Sequence, residues 1–217
     1  MQIKNWTAIL WDCLNIMSEM QDNSVDHIFT SPPYNRKRND KYTFYDDNKV
    51  DYLEFLRESI NQSIRVSRWF VFFNIQKNYY NKSEVFQIIG EFHKQIVEVF
   101  IWEKTNPMPA QGTSITNSWE FFLIFGNKAL KSNETYTKNI LSTWVNSKMH
   151  KEHKAVMKQE VADFFIKLFT QEWETILDPF AWVFTTAIAC QKYWRKWICI
   201  EKEQEYFDIW VNRILWN

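Results

Sequence analysis

Residues 25–35, Val-Asp-His-Ile-Phe-Thr-Ser-Pro-Pro-Tyr-Asn, join a β-like run to two consecutive prolines. Apolar and β-branched side chains dominate residues 25–30, and the prolines end the run because proline cannot donate a backbone hydrogen bond. Similar runs follow at residues 69–75, 96–102, 120–125, 175–177 and 197–200. Runs that are apolar on both faces and alternate with helices predict an α/β domain, with a mostly parallel sheet covered by helices on both faces.

Two segments between the strands have the apolar spacing of sheet-covering helices, at residues 50–65 and 161–169. Residues 127–151 differ, because they are polar, show little periodicity and are rich in Asn, Ser, Thr and Lys. We expect a single domain over residues 1–217 in which this segment is a long loop or a small insertion. Loops of that length commonly carry function.

The composition limits the classes of protein that fit. The 26 basic and 26 acidic residues cancel, so contact with a polyanion must come from local clusters of charge. Three separated cysteines without a CxxC pair favour reduced, buried thiols over disulfides or a metal site. No apolar run reaches the roughly 18 residues that span a bilayer, and no signal-peptide pattern is present. These features predict a soluble, cytoplasmic protein with neither a metal nor a membrane partner.

The Pro-Pro motif suits recognition of an amine. Prolines hold the local carbonyl groups rigidly, so Ser31 Oγ and the Pro32 carbonyl can accept the two N–H bonds of an exocyclic base amine. Tyr34 would stack on the base, which must be flipped out of the duplex or already single-stranded. The structural alternative is a turn that ends a buried strand. The basic residues 36–38, directly after the motif, favour the functional interpretation.

The sequence resembles the DNA methyltransferases that modify cytosine N4 or adenine N6 and whose catalytic motif precedes the cofactor motif. The resemblance is carried by residues 11–17, 22–26, 30–35, 102–109, 152–157, 177–180 and 200–201. It implies a Rossmann-like fold and methyl transfer from S-adenosylmethionine to the amino nitrogen of a DNA base. The catalytic residues that it implies are Ser31, Pro32, Pro33 and Tyr34. Serine at the first position of the motif is typical of the cytosine-N4 members.

The same resemblance assigns S-adenosylmethionine binding to Asp12, Cys13, Asp178, Pro179, Phe180, Thr185, Thr186 and Glu201. Family members carry glycines in the turn after Asp-Pro-Phe, but this chain has Trp182 and Phe184 there and Trp11 at a third glycine position. The whole chain has only 3 glycines beside 12 tryptophans. Large side chains at left-handed positions are strained and can exclude a ligand. A cofactor-deficient relative that serves as a DNA-binding or regulatory subunit therefore remains the alternative, and a nucleotide-binding enzyme of another kind is a third.

DNA contact falls, on the family's pattern, to Asn35, Arg36, Lys37, Arg38, Lys148 and Lys151. Clustered cations of this kind contact phosphates, while a solvated surface is the other interpretation. Residues 127–151 are the expected target-recognition element. The sequence leaves open whether the protein forms a homodimer or works with a partner subunit.

Overall fold

The structure is a computed structural model that describes residues 6–35, 50–107, 115–144 and 157–208. Strands and helices alternate along most of it. In chain order they are β1 (Thr7–Leu10), α1 (Cys13–Glu19), β2 (Val25–Thr30), α2 (Tyr52–Val66), β3 (Ser67–Ile75), α3 (Lys82–Glu91), β4 (Ile96–Lys104), β5 (Trp119–Gly126), β6 (Ile140–Thr143), α4 (Gln159–Phe169), β7 (Thr175–Asp178), α5 (Thr185–Lys192) and β8 (Lys196–Glu201).

The strands form one sheet in the order β1-β8-β7-β2-β3-β5-β4-β6. Among the described strands only β5 runs antiparallel to its neighbours, β3 and β4. The other pairs are parallel, which confirms the predicted α/β fold. After β2 the chain adds strands β3 to β6 on one side of β2. It then returns and adds β7 and β8 on the other side of β2. Sheets of this kind bind ligands at the carboxyl ends of the strands that flank such a reversal.

Two apolar clusters cover the sheet, one on each face. Alternate residues of β2 point to opposite faces, so Phe29 joins the cluster that includes α4 and α5, and Ile28 joins the cluster that includes α1, α2 and α3. Phe165 of α4 is fully buried and lies 4.3 Å, centroid to centroid, from Phe122 of β5. Burial on both faces explains the continuous apolar runs of the inner strands.

The predicted helices correspond to α2 and α4. The six predicted strands lie, in order, within β2, β3, β4, β5, β7 and β8. The sequence patterns missed β1 and β6. Both are four-residue strands at the edges of the sheet. Strand β6 lies inside the polar segment 127–151 and pairs with β4, so part of that segment extends the sheet. In the described residues, no helix combines the length and apolar character that a membrane span requires.

Candidate active site at the carboxyl edge of the sheet

A buried polar cluster lies where β2 and β3 end and β5 begins. Its members are Ser31, Tyr34, Asn74 and Glu120, and the last two are 0% and 2% exposed. Ser31 Oγ and the Tyr34 hydroxyl lie 3.1 and 2.6 Å from Asn74 Oδ1, and 2.7 Å from each other. The cluster therefore joins the predicted catalytic motif to two strands that are distant in sequence.

Asn74 fixes the direction of these hydrogen bonds. Its Nδ2 donates to the Phe121 carbonyl at 3.0 Å, so its Oδ1 faces the hydroxyls of Ser31 and Tyr34. An amide oxygen can only accept, and the Ser31 hydroxyl can therefore direct its proton to Asn74. The Ser31 oxygen then retains lone pairs with which it can accept a hydrogen bond from a ligand.

Glu120 supplies the negative charge of the cluster. Its Oε2 lies 2.9 Å from the Tyr34 hydroxyl, whose single proton is shared between Glu120 and Asn74 Oδ1, and its Oε1 is paired with Lys104 Nζ. The Lys104 ammonium also lies 5.0 Å from the centroid of the Trp102 ring. A buried carboxylate needs such a partner because desolvation of an unpaired charge is costly. The sequence analysis did not identify Asn74, Glu120 or Lys104; a signal was available in Asn74, a polar residue near the end of an apolar run.

The main chain of the motif is held by side chains from neighbouring elements. Tyr52 donates its hydroxyl to the Pro33 carbonyl at 2.8 Å, and Asn78 and Asn81 each donate to the Tyr34 carbonyl at 2.8 Å. Asn35 has a positive φ of 50° and is only 3% exposed. Its predicted DNA contact stays a prediction. The other predicted DNA contacts, Arg36, Lys37, Arg38, Lys148 and Lys151, lie outside the described residues.

Asp178 joins the loop after β7 to the end of β2. Its carboxylate accepts from Thr30 Oγ1 at 3.0 Å, from the Phe180 N–H at 3.1 Å and from Thr186 Oγ1 at 2.5 Å. Burial raises the pKa of Asp178 to about 6, although these three hydrogen bonds oppose the shift. Asp178 therefore organises the loop from within.

Glu201 ends β8 as Asp178 ends β7, and both carboxylates are buried. Its carboxylate accepts from the backbone N–H groups of Trp182 at 2.8 Å and of Lys202 and Glu203 at 2.9 Å. Burial raises the pKa of Glu201 to about 7. The Glu201 carbonyl also accepts from the Trp11 N–H at 3.0 Å, which brings the end of β1 to the same edge.

The remaining predicted cofactor residues surround this edge. Asp12 caps α1 by accepting from the Leu14 and Asn15 N–H groups. Cys13 and Pro179 are buried, Phe180 packs against an α2 side chain, and Thr185 begins α5. The structure thus gathers the predicted cofactor residues on adjacent strand ends, beside the Ser31 motif.

Trp182 and Phe184 occupy the two glycine positions of the loop with φ angles of 45° and 57°. The backbone thus keeps the left-handed conformation that glycine adopts without strain. Phe184 is fully buried, whereas Trp182 is half-buried with its ring 5.9 Å from that of Tyr206. The Trp182 indole N–H donates to the Ser31 carbonyl at 3.3 Å. The Trp182 side chain therefore crosses between the loop after β7 and the motif after β2.

The mostly parallel α/β sheet carries the Ser-Pro-Pro-Tyr motif and the Asp-Pro-Phe loop together at its carboxyl edge. Residues 25–212 match the family model described as DNA methylase, the N6/N4 group. This chain therefore belongs to the DNA methylase family. The prediction of an S-adenosylmethionine-dependent enzyme that methylates the amino group of cytosine or adenine in DNA is confirmed.

Curated relatives match over nearly the whole chain. The type II methyltransferase M2.MboI of Moraxella bovis is 26% identical over 97% of this chain and 88% of its own length. The type II methyltransferase M.HinfI of Haemophilus influenzae is 25% identical over 96% of this chain and 68% of its own length. No comparison favours the cofactor-deficient alternative.

Solved structures share the fold. The cytosine-N4-specific PvuII DNA methyltransferase superposes with a TM-score of 0.79 at 17% identity, covering 98% of this chain and 87% of that one. The complex of M1.HpyAVI with S-adenosylmethionine gives a TM-score of 0.68 at 22% identity, covering 95% and 98%.

Proposed function

We propose that Ser31 and Pro32 orient the amine of a flipped-out DNA base for methylation, with Tyr34 forming one wall of the base pocket. The observation that carries the proposal is the fixed direction of the Asn74 amide. Because Asn74 Oδ1 takes the Ser31 proton, Ser31 Oγ can accept one amine N–H, and the Pro32 carbonyl can accept the other. The lone pair of the amine nitrogen then points away from both acceptors.

Cytosine N4 is the position that we propose as the target. The support is Ser31 as the first residue of the motif, a residue that the resemblance associates with cytosine-N4 enzymes. No covalent bond between protein and base is required, because an amine with a correctly directed lone pair is itself the nucleophile.

S-adenosylmethionine, which supplies the electrophilic methyl group, would be held by the loop after β7, by Thr185 and Thr186, by the end of β1 at Asp12 and Cys13, and by Glu201. The backbone of this edge suits the cofactor, since its left-handed loop and buried acid are already in position. The Trp182 side chain does not suit it, because the indole lies against the Ser31 carbonyl, between the cofactor residues and the amine acceptors.

The test is transfer of labelled methyl groups from S-adenosylmethionine to unmethylated bacterial DNA, followed by mass spectrometry of the nucleosides. We expect N4-methylcytosine, from the chain itself or from its Trp182→Gly variant. N6-methyladenine would overturn the choice of base. A Trp182→Gly chain that binds the cofactor and DNA but leaves both bases unmethylated would overturn the proposed function.

The described residues also include an exposed aromatic surface that could contact DNA. The loop that holds the Tyr34 carbonyl exposes Tyr79 and Tyr80, which are 78% and 47% exposed and pack edge to face at 5.3 Å. Lys82 Nζ lies 5.6 Å from the Tyr79 ring centroid. Aromatic rings beside a cation suit stacking on bases and contact with phosphates. We propose that this loop contacts the DNA beside the flipped base.

Tyr79→Ala is expected to weaken DNA binding about tenfold, since loss of one base-stacking ring costs roughly 1–3 kcal/mol. Fluorescence anisotropy with a labelled duplex measures the effect, and calorimetry should show unchanged affinity for S-adenosylmethionine. Phe86→Ala, which removes a ring 56% exposed on α3, is the matched control and should leave DNA binding unchanged. Equal effects from the two substitutions would contradict a specific contact at Tyr79.

Residues 127–151 remain our proposed target-recognition element, now with β6 anchoring part of it to the sheet. Cys13, Cys190 and Cys199 are buried and form no disulfide, which agrees with a reducing, cytoplasmic location for an enzyme that acts on DNA. Analytical ultracentrifugation with and without DNA tests whether the chain forms a homodimer or needs a partner subunit.

A further inference from the structure

Tryptophan is the commonest residue at the left-handed backbone positions of the described chain, with four of the seven non-glycine cases. Trp6, Trp173, Trp182 and Trp194 have φ angles of 62°, 67°, 45° and 62°. In the described chain the other non-glycine residues with positive φ are Asn23, Asn35 and Phe184, and asparagine tolerates this region. Gly90 and Gly126, the two described glycines, both lie outside it. Neither described glycine therefore has a left-handed backbone, although glycine is ordinarily the residue that adopts this conformation.

Trp194 lies at a helix end that normally requires glycine. After α5, the Arg195 N–H donates to the Cys190 carbonyl at 2.8 Å and the Trp194 N–H donates to the Gln191 carbonyl at 3.4 Å. These two bonds define a Schellman motif whose left-handed C′ residue is Trp194. Glycine is the usual residue at C′ because it has no Cβ to clash.

Trp173 lies in a turn with the same requirement. The Glu174 N–H donates to the Gln171 carbonyl at 3.3 Å, so Trp173 is the third residue of a β-turn with positive φ at that position. Turns of this kind favour glycine or asparagine there.

Packing of these tryptophan side chains offsets little of the backbone strain. Trp6, Trp173 and Trp194 are 45%, 55% and 62% exposed, although tryptophan is highly buried on average. Trp182 is the functionally important case. Its φ and its hydrogen bond to the Ser31 carbonyl place a strained residue across the cofactor edge.

We infer that positions 6, 173, 182 and 194 carry glycine in the cell that naturally expresses this gene. One codon accounts for all four: UGA, a stop codon in the standard code, is read as tryptophan in some genetic codes and as glycine in others. The 3 glycines and 12 tryptophans of the chain agree with a reassigned codon, since average usage of about 7% would give roughly 15 glycines. The consequence at position 182, an open cofactor cleft, rests on the proposed function.

The direct test is tandem mass spectrometry of peptides that cover these positions, from protein purified from its natural source. Glycine at all four positions is the expected result. Tryptophan at position 182 or 194 would overturn the inference. This measurement does not depend on methylation activity, so its failure and the failure of the proposed function are distinguishable.

Recombinant variants test the physical basis. Trp173→Gly and Trp194→Gly should each raise Tm by about 2–4 °C through relief of strain. The matched control is Trp144→Gly, because Trp144 is 67% exposed and has no positive φ; it should lower Tm or leave it unchanged. Equal shifts in all three variants would contradict a glycine geometry at positions 173 and 194.

Calorimetry with S-adenosylmethionine tests position 182. Trp182→Gly should lower the Kd by about tenfold or more relative to the tryptophan chain, while Trp144→Gly leaves the Kd unchanged. An unchanged Kd in Trp182→Gly would overturn the assignment of Trp182 as the obstructing side chain. Tight binding without methylation would leave the inference intact and count against the proposed function alone.

Discussion

Ser31→Ala is expected to lower kcat for methyl transfer by about 100- to 1000-fold, the usual cost of removing one preorganised hydrogen-bonding group from a reaction centre. The Ser31 oxygen is directed by Asn74, and in the proposed arrangement alanine would leave one amine N–H without an acceptor. The amine lone pair is then no longer aligned. Single-turnover rates with labelled S-adenosylmethionine, measured in the Trp182→Gly background, give the effect on the chemical step.

The affinity for the cofactor should be unchanged, because the Ser31 side chain is not part of the loop after β7. Ser18→Ala is the matched control, since Ser18 is exposed and its hydroxyl donates to the Asn15 carbonyl of its own helix. A loss of less than about fivefold in Ser31→Ala would mean that the Pro32 carbonyl suffices to orient the amine.

Asp178→Asn is expected to stabilise the fold at pH 8 by up to about 3 kcal/mol. Burial raises the pKa of Asp178 from 3.8 to about 6, so the folded protein binds the proton more tightly than the unfolded chain does. The favourable contribution of the protonated carboxyl is complete below pH 3.8 and is lost as the pH rises through 6. Asparagine is neutral throughout and can still accept from Thr30 and the Phe180 N–H.

Urea unfolding at pH 5 and pH 8 measures this difference, which should grow with pH. Glu201 has a pKa raised in the same direction, but it is present in both chains and cancels in the comparison. Asp22→Asn is the control, since that carboxylate is 69% exposed and its substitution should change stability little. A lower stability of Asp178→Asn at pH 8 would mean that the ionised carboxylate gains more from its three hydrogen bonds than burial costs.

The inner strands were predictable because each is buried on both faces and reads as a continuous apolar run. The edge strands β1 and β6 were not, since a short strand with one neighbour leaves little apolar pattern. Ser31 to Tyr34 were predictable because the motif is contiguous. Asn74, Glu120 and Lys104 come from three separate strands, and only the sheet order β2-β3-β5-β4 brings them together. The altered loop was visible in the sequence, but the direction of the Trp182 indole depends on its backbone conformation.

The hydrogen bond between Thr30 and Asp178 has a further consequence for the order of events in catalysis. Thr30 immediately precedes Ser31, and Asp178 also holds the Phe180 N–H and Thr186 of the opposite loop. A ligand that holds the loop in place therefore also holds Ser31, the residue that we propose receives the base. Binding at the loop after β7 should then alter the affinity of the Ser31 motif for a base. Binding of the base should alter the affinity of the loop for its ligand by an equal factor, since such coupling is reciprocal. A flipped base would be held most firmly when the methyl donor is already in place, which disfavours unproductive opening of the duplex.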